Sequence, residues 1–168
     1  MKTILVLAMH GAPPNDFPTS ELAEFMNLHN QLEHVLEPRK VSIQIRYLEL
    51  QAKLRAWPRT SANDPFFAGS ITLAKHLEEI SELPVVLGFN EFCGPSLEEA
   101  LEQAATKAKQ VLVITPMMTR GGEHSERDIP TAIRLVQAHH PGVIFKYVWP
   151  FDTNEVARFL SDQLKKYQ

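Results

Sequence analysis

One cysteine, Cys93, occurs in 168 residues. A lone thiol excludes an intrachain disulfide framework and fits a reducing compartment. No apolar run approaches the ~20 residues needed to cross a bilayer. The opening MKTILVLAMHG lacks the longer hydrophobic region and small-residue cleavage site of a secretory signal, so it reads as a buried first strand. Basic charge is not in excess: the formal net charge is -3, whereas nucleic-acid binders usually carry a basic face. A polyanionic ligand must then be drawn in by a few placed Arg and Lys side chains. Low-complexity segments and internal repeats are missing. No glycine-rich phosphate fingerprint follows the first apolar run, where Pro13 and Pro14 remove N–H donors, which weighs against a flavodoxin-like phosphate binder. A soluble, cytoplasmic protein with no nucleic-acid or membrane partner is expected.

What is present is ordinary for a globular domain: 44% apolar and 22% charged residues, in a chain long enough for one sizeable core. Four short runs rich in β-branched residues stand out: TILVLAM (3–9), PVVLGF (84–89), QVLVITP (110–116) and VIFKYVW (143–149). The first three are almost continuously apolar, as strands buried on both faces are. Helical periodicity lies between and after them, over 66–82, 96–108, 125–139 and 153–166. Ser96 with Glu99 forms a capping box, and Asp152 with Glu155 is a second box-like start. Strands alternating with helices predict a single α/β domain over 1–168 with a three-layer open parallel sheet. Residues 15–64 fit less neatly. They offer a helix at 19–36, an alternating run VSIQIRYLEL (41–50) and a punctuated loop WPRTSANDP (57–65), read as an insertion after the first strand that adds an edge strand and an arm.

Ligands of open parallel sheets sit beyond the carboxyl ends of the strands. Three metal-binding side chains fall there on independent grounds: His10 at the end of the first strand, Glu91 just past PVVLGF, and His124 in the loop PMMTRGGEHSERDIP after the third strand. Two imidazoles and a carboxylate suit cobalt, nickel, iron or zinc, and three ligands leave coordination positions open. Each also has a plainer role, as a turn histidine, a surface carboxylate, or a residue ahead of a helix. His29, His34 and His76 sit on helical patterns, and His139 and His140 end one, so these five are read as structural. Cys93 is read as a small buried hydrophobe.

The segments MHGAPP (9–14), FNEFCGPSLEEAL (89–101) and VLVITPMMTRGGEHSERDIPTAI (111–133) resemble the class II tetrapyrrole chelatases of the CbiX/SirB type, the sirohydrochlorin cobalto-, nickel- and ferrochelatases. The resemblance implies a flavodoxin-like chelatase fold and ATP-independent insertion of Co2+, Ni2+ or Fe2+, as substrate, into sirohydrochlorin or a related tetrapyrrole, with no organic cofactor. It makes His10 and His124 the paired active-site histidines and Glu91 the carboxylate ligand. The chain carries one copy of a unit that long members have twice, which implies a homodimer. The spacing from His10 to Glu91 exceeds that of the short members, and NDPFFAGSITLAKHL is faintly similar to the N-terminal half of protohaem ferrochelatases. An iron-into-porphyrin enzyme and a non-catalytic metal or tetrapyrrole binder are therefore the alternatives.

Metal insertion exchanges two pyrrolic protons for a dication. Imidazole serves as both ligand and proton acceptor, and its reference pKa of about 6.5 implies that protons compete as the pH falls below that value. Around the metal, Gly11 and the pair Gly121 and Gly122 are expected to let the backbone approach a flat ligand. Met117 and Met118 would touch the ring face, Arg120 would pair with a carboxylate substituent, and Ser125 with the helix N-terminus would offer N–H donors to another.

Overall fold

The structure, a computed structural model, describes residues 2–32 and 39–168. Its centre is a four-stranded, wholly parallel sheet of β1 (Thr3–Met9), β2 (Val85–Phe89), β3 (Gln110–Ile114) and β4 (Ile144–Tyr147), in the order β2-β1-β3-β4. Each strand falls within one of the four apolar runs. β1 is buried on both sides because its residues alternate between two cores. Ile4, Val6 and Ala8 join one cluster, and Leu7 and Met9 the other.

The first core is closed by α4 (Leu97–Lys107) and α5 (Ile129–His139), the second by α3 (Pro65–Ser81). The capping box of α4 forms as expected from Ser96 and Glu99. Leu97, Ala100, Leu101, Ala104 and Ala105 make its buried stripe, at the i, i+3, i+4 spacing that turns one helical face inward. This helix lies almost on the backbone of β2. A Cβ on Gly88 would stand 2.7 Å from the Ala100 methyl. At the far end of α5, His139 and His140 share Glu102 of α4, at 3.2 and 2.5 Å, which is the structural role expected of them. His76 lies on α3.

Residues 15–64 depart from expectation. α1 (Thr19–Leu32) begins where the sequence places it, and residues 33–36, including His34, lie outside the described residues. The run VSIQIRYLEL is not an edge strand but part of α2 (Arg39–Arg55). A second periodicity wins there: Ile43, Tyr47, Leu50 and Leu54 form one inward stripe, with Leu50 and Leu54 fully buried, so helical packing overrides the β-branched propensity. The two helices form an antiparallel hairpin joined by Arg46–Glu24 and Lys53–Glu21 ion pairs and by stacked Phe25 and Tyr47.

Below the hairpin lies a buried charge pair. Asp64 caps α3 by accepting from the Phe67 amide and pairs with Arg59. The Arg59 guanidinium also donates to the carbonyls of Ala12, Leu54 and Phe92. One side chain therefore pins the loop after β1, the end of α2 and the loop after β2 to the start of α3.

The last helix, α6 (Thr153–Leu164), begins at the Asp152 cap, whose side chain accepts from the Asn154 and Glu155 amides. It buries none of its residues: Phe159, Leu160 and Leu164 are about half exposed or more, as are Ile144 and, nearly so, Val148 on the outer side of β4. Among the described residues no helix is long and apolar enough to cross a membrane.

Removing one member of a buried, hydrogen-bonded ion pair strands the other. Asp64→Ala is therefore expected to lower the unfolding free energy by about 3–5 kcal/mol, read by urea denaturation. Glu24→Ala, which breaks a pair with both partners about two-fifths exposed, should cost less than about 1 kcal/mol.

Candidate metal centre

The strand order brings the three candidate ligands together. β1 is central, so His10 emerges between the loop that follows β2 and the loop that follows β3. The connections from the sheet's middle diverge to opposite sides here, which makes this the topological switch point where open α/β sheets bind ligands. His10, Glu91 and His124, each partly buried, offer ligand atoms that all lie within 4.8 Å of one another. The two imidazoles meet edge to face, with ring centroids 4.4 Å apart.

Backbone contacts hold this geometry. The β1–β2 ladder continues past the strands, with the Asn90 amide donating to Met9 O and the Glu91 amide to His10 O, both at 2.9 Å. Gly11 makes the close approach possible. Its φ is +100°, and a Cβ there would stand 1.9 Å from the Glu91 carbonyl oxygen. Gly11 is thus packed against the neighbouring loop.

Each histidine has its orientation set by a partner. His10 Nδ1 donates to the Gly11 carbonyl at 2.7 Å. His124 Nδ1 lies 2.7 Å from Asp128 Oδ2, and Asp128 is itself bonded by Arg127. Both rings are left with Nε2 to offer. This is the arrangement in which an outer partner fixes the tautomer and raises ligand basicity. Asp128 has this role because His124–Asp128 is a turn of π-helix that feeds directly into α5. Such turns gather at functional sites, and the i, i+4 spacing of His and Asp was the sequence signal available.

The remaining expected contacts divide. Gly121 adopts a φ of +87°. Arg120 is exposed and pairs with Glu126 at 3.2 Å, while Gly122 sits against Ser125. Met117 packs on the α4/α5 core, and Met118 faces Phe151 and α6 across a shallow apolar groove. Ser125 is 1% exposed and its hydroxyl donates to Gly122 O, inside the helical turn that starts at His124. Its side chain is therefore closed to a ligand. Cys93 is buried beside Ala12, and burial pushes its thiol pKa up, which keeps it neutral and a poor metal ligand.

Sequence reasoning missed the residues of α1 and α2 near the centre. Tyr47 and His29 are in ring contact, and burial, followed by the charge of Glu91, raises the Tyr47 pKa. His29, read as structural, lines a cavity that Glu91 also lines. No local motif marks these residues, since the hairpin reaches the centre only through the fold.

Asp128→Ala should weaken cobalt binding about 10- to 100-fold without lowering the melting temperature appreciably. A cobalt titration followed by d–d absorbance, paired with a thermal melt, checks both.

Known proteins resemble this chain in sequence and in fold. The sirohydrochlorin cobaltochelatase of Methanopyrus kandleri is 34% identical over 64 residues, covering 38% of this chain and 45% of that protein. That of Sulfurisphaera tokodaii is 28% identical over 83 residues, covering 49% and 66%. The chain thus spans about half to two thirds of the length of these curated relatives. A solved CbiX protein from Marinobacter aquaeolei VT8 superposes with a TM-score of 0.55 at 16% identity, covering 98% of this chain and 96% of that one, a likeness of fold. The sequence profile of one family covers α3 through the C-terminal 3₁₀ turn, matching residues 66–167: this chain belongs to the CbiX family.

Proposed function

We propose that this protein inserts a divalent metal ion (cobalt, or else nickel or ferrous iron) into sirohydrochlorin or a related tetrapyrrole, as a chelatase (a lyase) working without ATP or an organic cofactor. The observation that carries the reading is the convergence of His10, Glu91 and His124 within 4.8 Å at the sheet's switch point. The names of the Methanopyrus and Sulfurisphaera relatives support the same substrate and metal.

The chemistry asked of these residues is modest. Two neutral imidazoles and one carboxylate hold a dication with positions still open, so incoming pyrrole nitrogens can replace the protein's ligands one at a time. Each metal–nitrogen bond to a former pyrrole N–H releases a proton, two per turnover. A histidine Nε2 freed from the ion is positioned to accept one, and the solvent in this half-buried site takes it onward. The product is the neutralised metal–macrocycle unit plus two protons, with no change in oxidation state and hence no call for a redox partner. The reaction suits the cytoplasm, where the free thiol of Cys93 stays reduced.

The same reading includes a homodimer. Phe159, Leu160 and Leu164 form an exposed stripe on α6, and Ile144 and Val148 expose an apolar strip on the outer face of β4. An isologous pairing of two chains can cover both.

Sirohydrochlorin mixed with catalytic protein and excess Co2+, Ni2+ or Fe2+ should be metallated over many turnovers above the spontaneous rate, followed in the visible spectrum. A change that stops at one equivalent of protein would identify a carrier instead. His124→Ala is expected to remove turnover, by about 100-fold or more, while the thermal melt stays intact. Sedimentation should give a dimer that Leu160→Glu converts to monomer, and a wild-type monomer would refute that part.

A further inference from the structure

We infer that the cavity between the α1–α2 hairpin and the Glu91 loop is a subsite for a carboxylate substituent of the macrocycle, with Arg55 as its anchor. The inference deepens the chelatase reading and rests on it. The cavity has a volume of about 550 Å³ and shares Glu91 with the metal centre. Its size is that of a small-molecule pocket, and one wall is aromatic, built from Phe25, Tyr47 and Phe92.

Arg55 is the unusual group in that wall. Arg46 and Lys53, on the same helix, are paired with Glu24 and Glu21 of α1. Arg59 is paired with Asp64. Among the described residues no carboxylate lies within the 4.0 Å ion-pair distance of Arg55. Its Nε is buried with no hydrogen-bond partner, and its one recorded bond, Nη2 to Asn90 O, is at the outer limit of 3.5 Å. The side-chain amide nitrogen of Asn90, on the same cavity, is also buried and unpartnered. Two buried donors without an acceptor are costly in an isolated protein. They become favourable when an anionic acceptor enters, and a guanidinium matches a carboxylate with two parallel bonds.

The acids lining this cavity do not fill that role. Asp128 is engaged by His124 and Arg127, Glu91 belongs to the metal centre, and Glu98 lies beyond ion-pair distance of Arg55. The hairpin that carries Arg55 precedes the stretch matched by the family profile, which begins at Phe66. The hairpin thereby supplies part of the substrate wall from within the chain.

The test titrates sirohydrochlorin, without metal, into the full chain and into Arg55→Met and Arg55→Lys, with Co2+ alone titrated in parallel. Arg55→Met should weaken macrocycle binding about 10- to 100-fold, Arg55→Lys should recover part of the loss, and cobalt affinity should stay at the wild-type value. The methyl-esterified macrocycle should bind wild type and Arg55→Met alike. Equal binding of sirohydrochlorin by wild type and Arg55→Met overturns the inference. If Arg55→Met fails to fold, equal affinity of the wild type for the acid and its ester overturns it equally well. Wild-type protein that binds sirohydrochlorin through Arg55 but inserts no metal would sink the chelatase reading and leave the subsite standing. Wild-type protein that binds no tetrapyrrole would overturn both.

Discussion

The buried guanidinium of Arg59 is the constraint on which the rest of the structure depends. A cation out of water is tolerated only when it is paired and hydrogen-bonded. Here one carboxylate and three backbone carbonyls from four separate segments match its two terminal nitrogens, and Nε is left without a partner. Two of those carbonyls, of Ala12 and Phe92, lie within two residues of the candidate ligands His10 and Glu91. The charge that stabilises the attachment of the hairpin thus also sets the distance between the two loops of the metal centre. Fold and site are not separable at this point.

A centre built this way is rigid in its backbone and sparing in its ligands. The ladder contacts beyond β1 and β2, the tight Gly11 turn and the hydrogen-bonded imidazoles leave little freedom in where the donors point. Among the described residues three candidate donors converge, and all are partly buried rather than enclosed. On the chelatase reading proposed above, that combination suits a centre that hands metal on, whereas a structural site closes the coordination sphere with four ligands.

Much of this was legible from the chain alone. Continuous apolar runs revealed the strands because burial on both faces leaves no alternation to misread. The capping signals located α4 and α6 because a cap is a local bond between residues three apart. His10, Glu91 and His124 could be assembled on paper because parallel strands put their carboxyl ends on one edge. What escaped was non-local. VSIQIRYLEL satisfies period two and period 3.6 at once, and only the partner helix α1 decides between them. Arg59 and Asp64 sit in a stretch that reads as a polar loop, since nothing in WPRTSANDP reveals that carbonyls from elsewhere will surround the guanidinium. Arg55 carried no signal in the sequence, since its cavity exists only once the hairpin has folded, and the π-turn that encloses Ser125 has no signature in its neighbours.

The contact between Gly88 and Ala100 has a wider consequence. α4 rests on β2 with no side chain between them at this point, so its height above the sheet is fixed by two of the smallest residues available. The five residues from Asn90 to Gly94 must bridge from that strand to the cis Pro95 that leads into the helix, and Glu91 is among them. A bulkier pair at 88 and 100 would jack the helix upward and drag the carboxylate away from both imidazoles. The foundation under the three candidate ligands therefore tolerates almost no growth in volume.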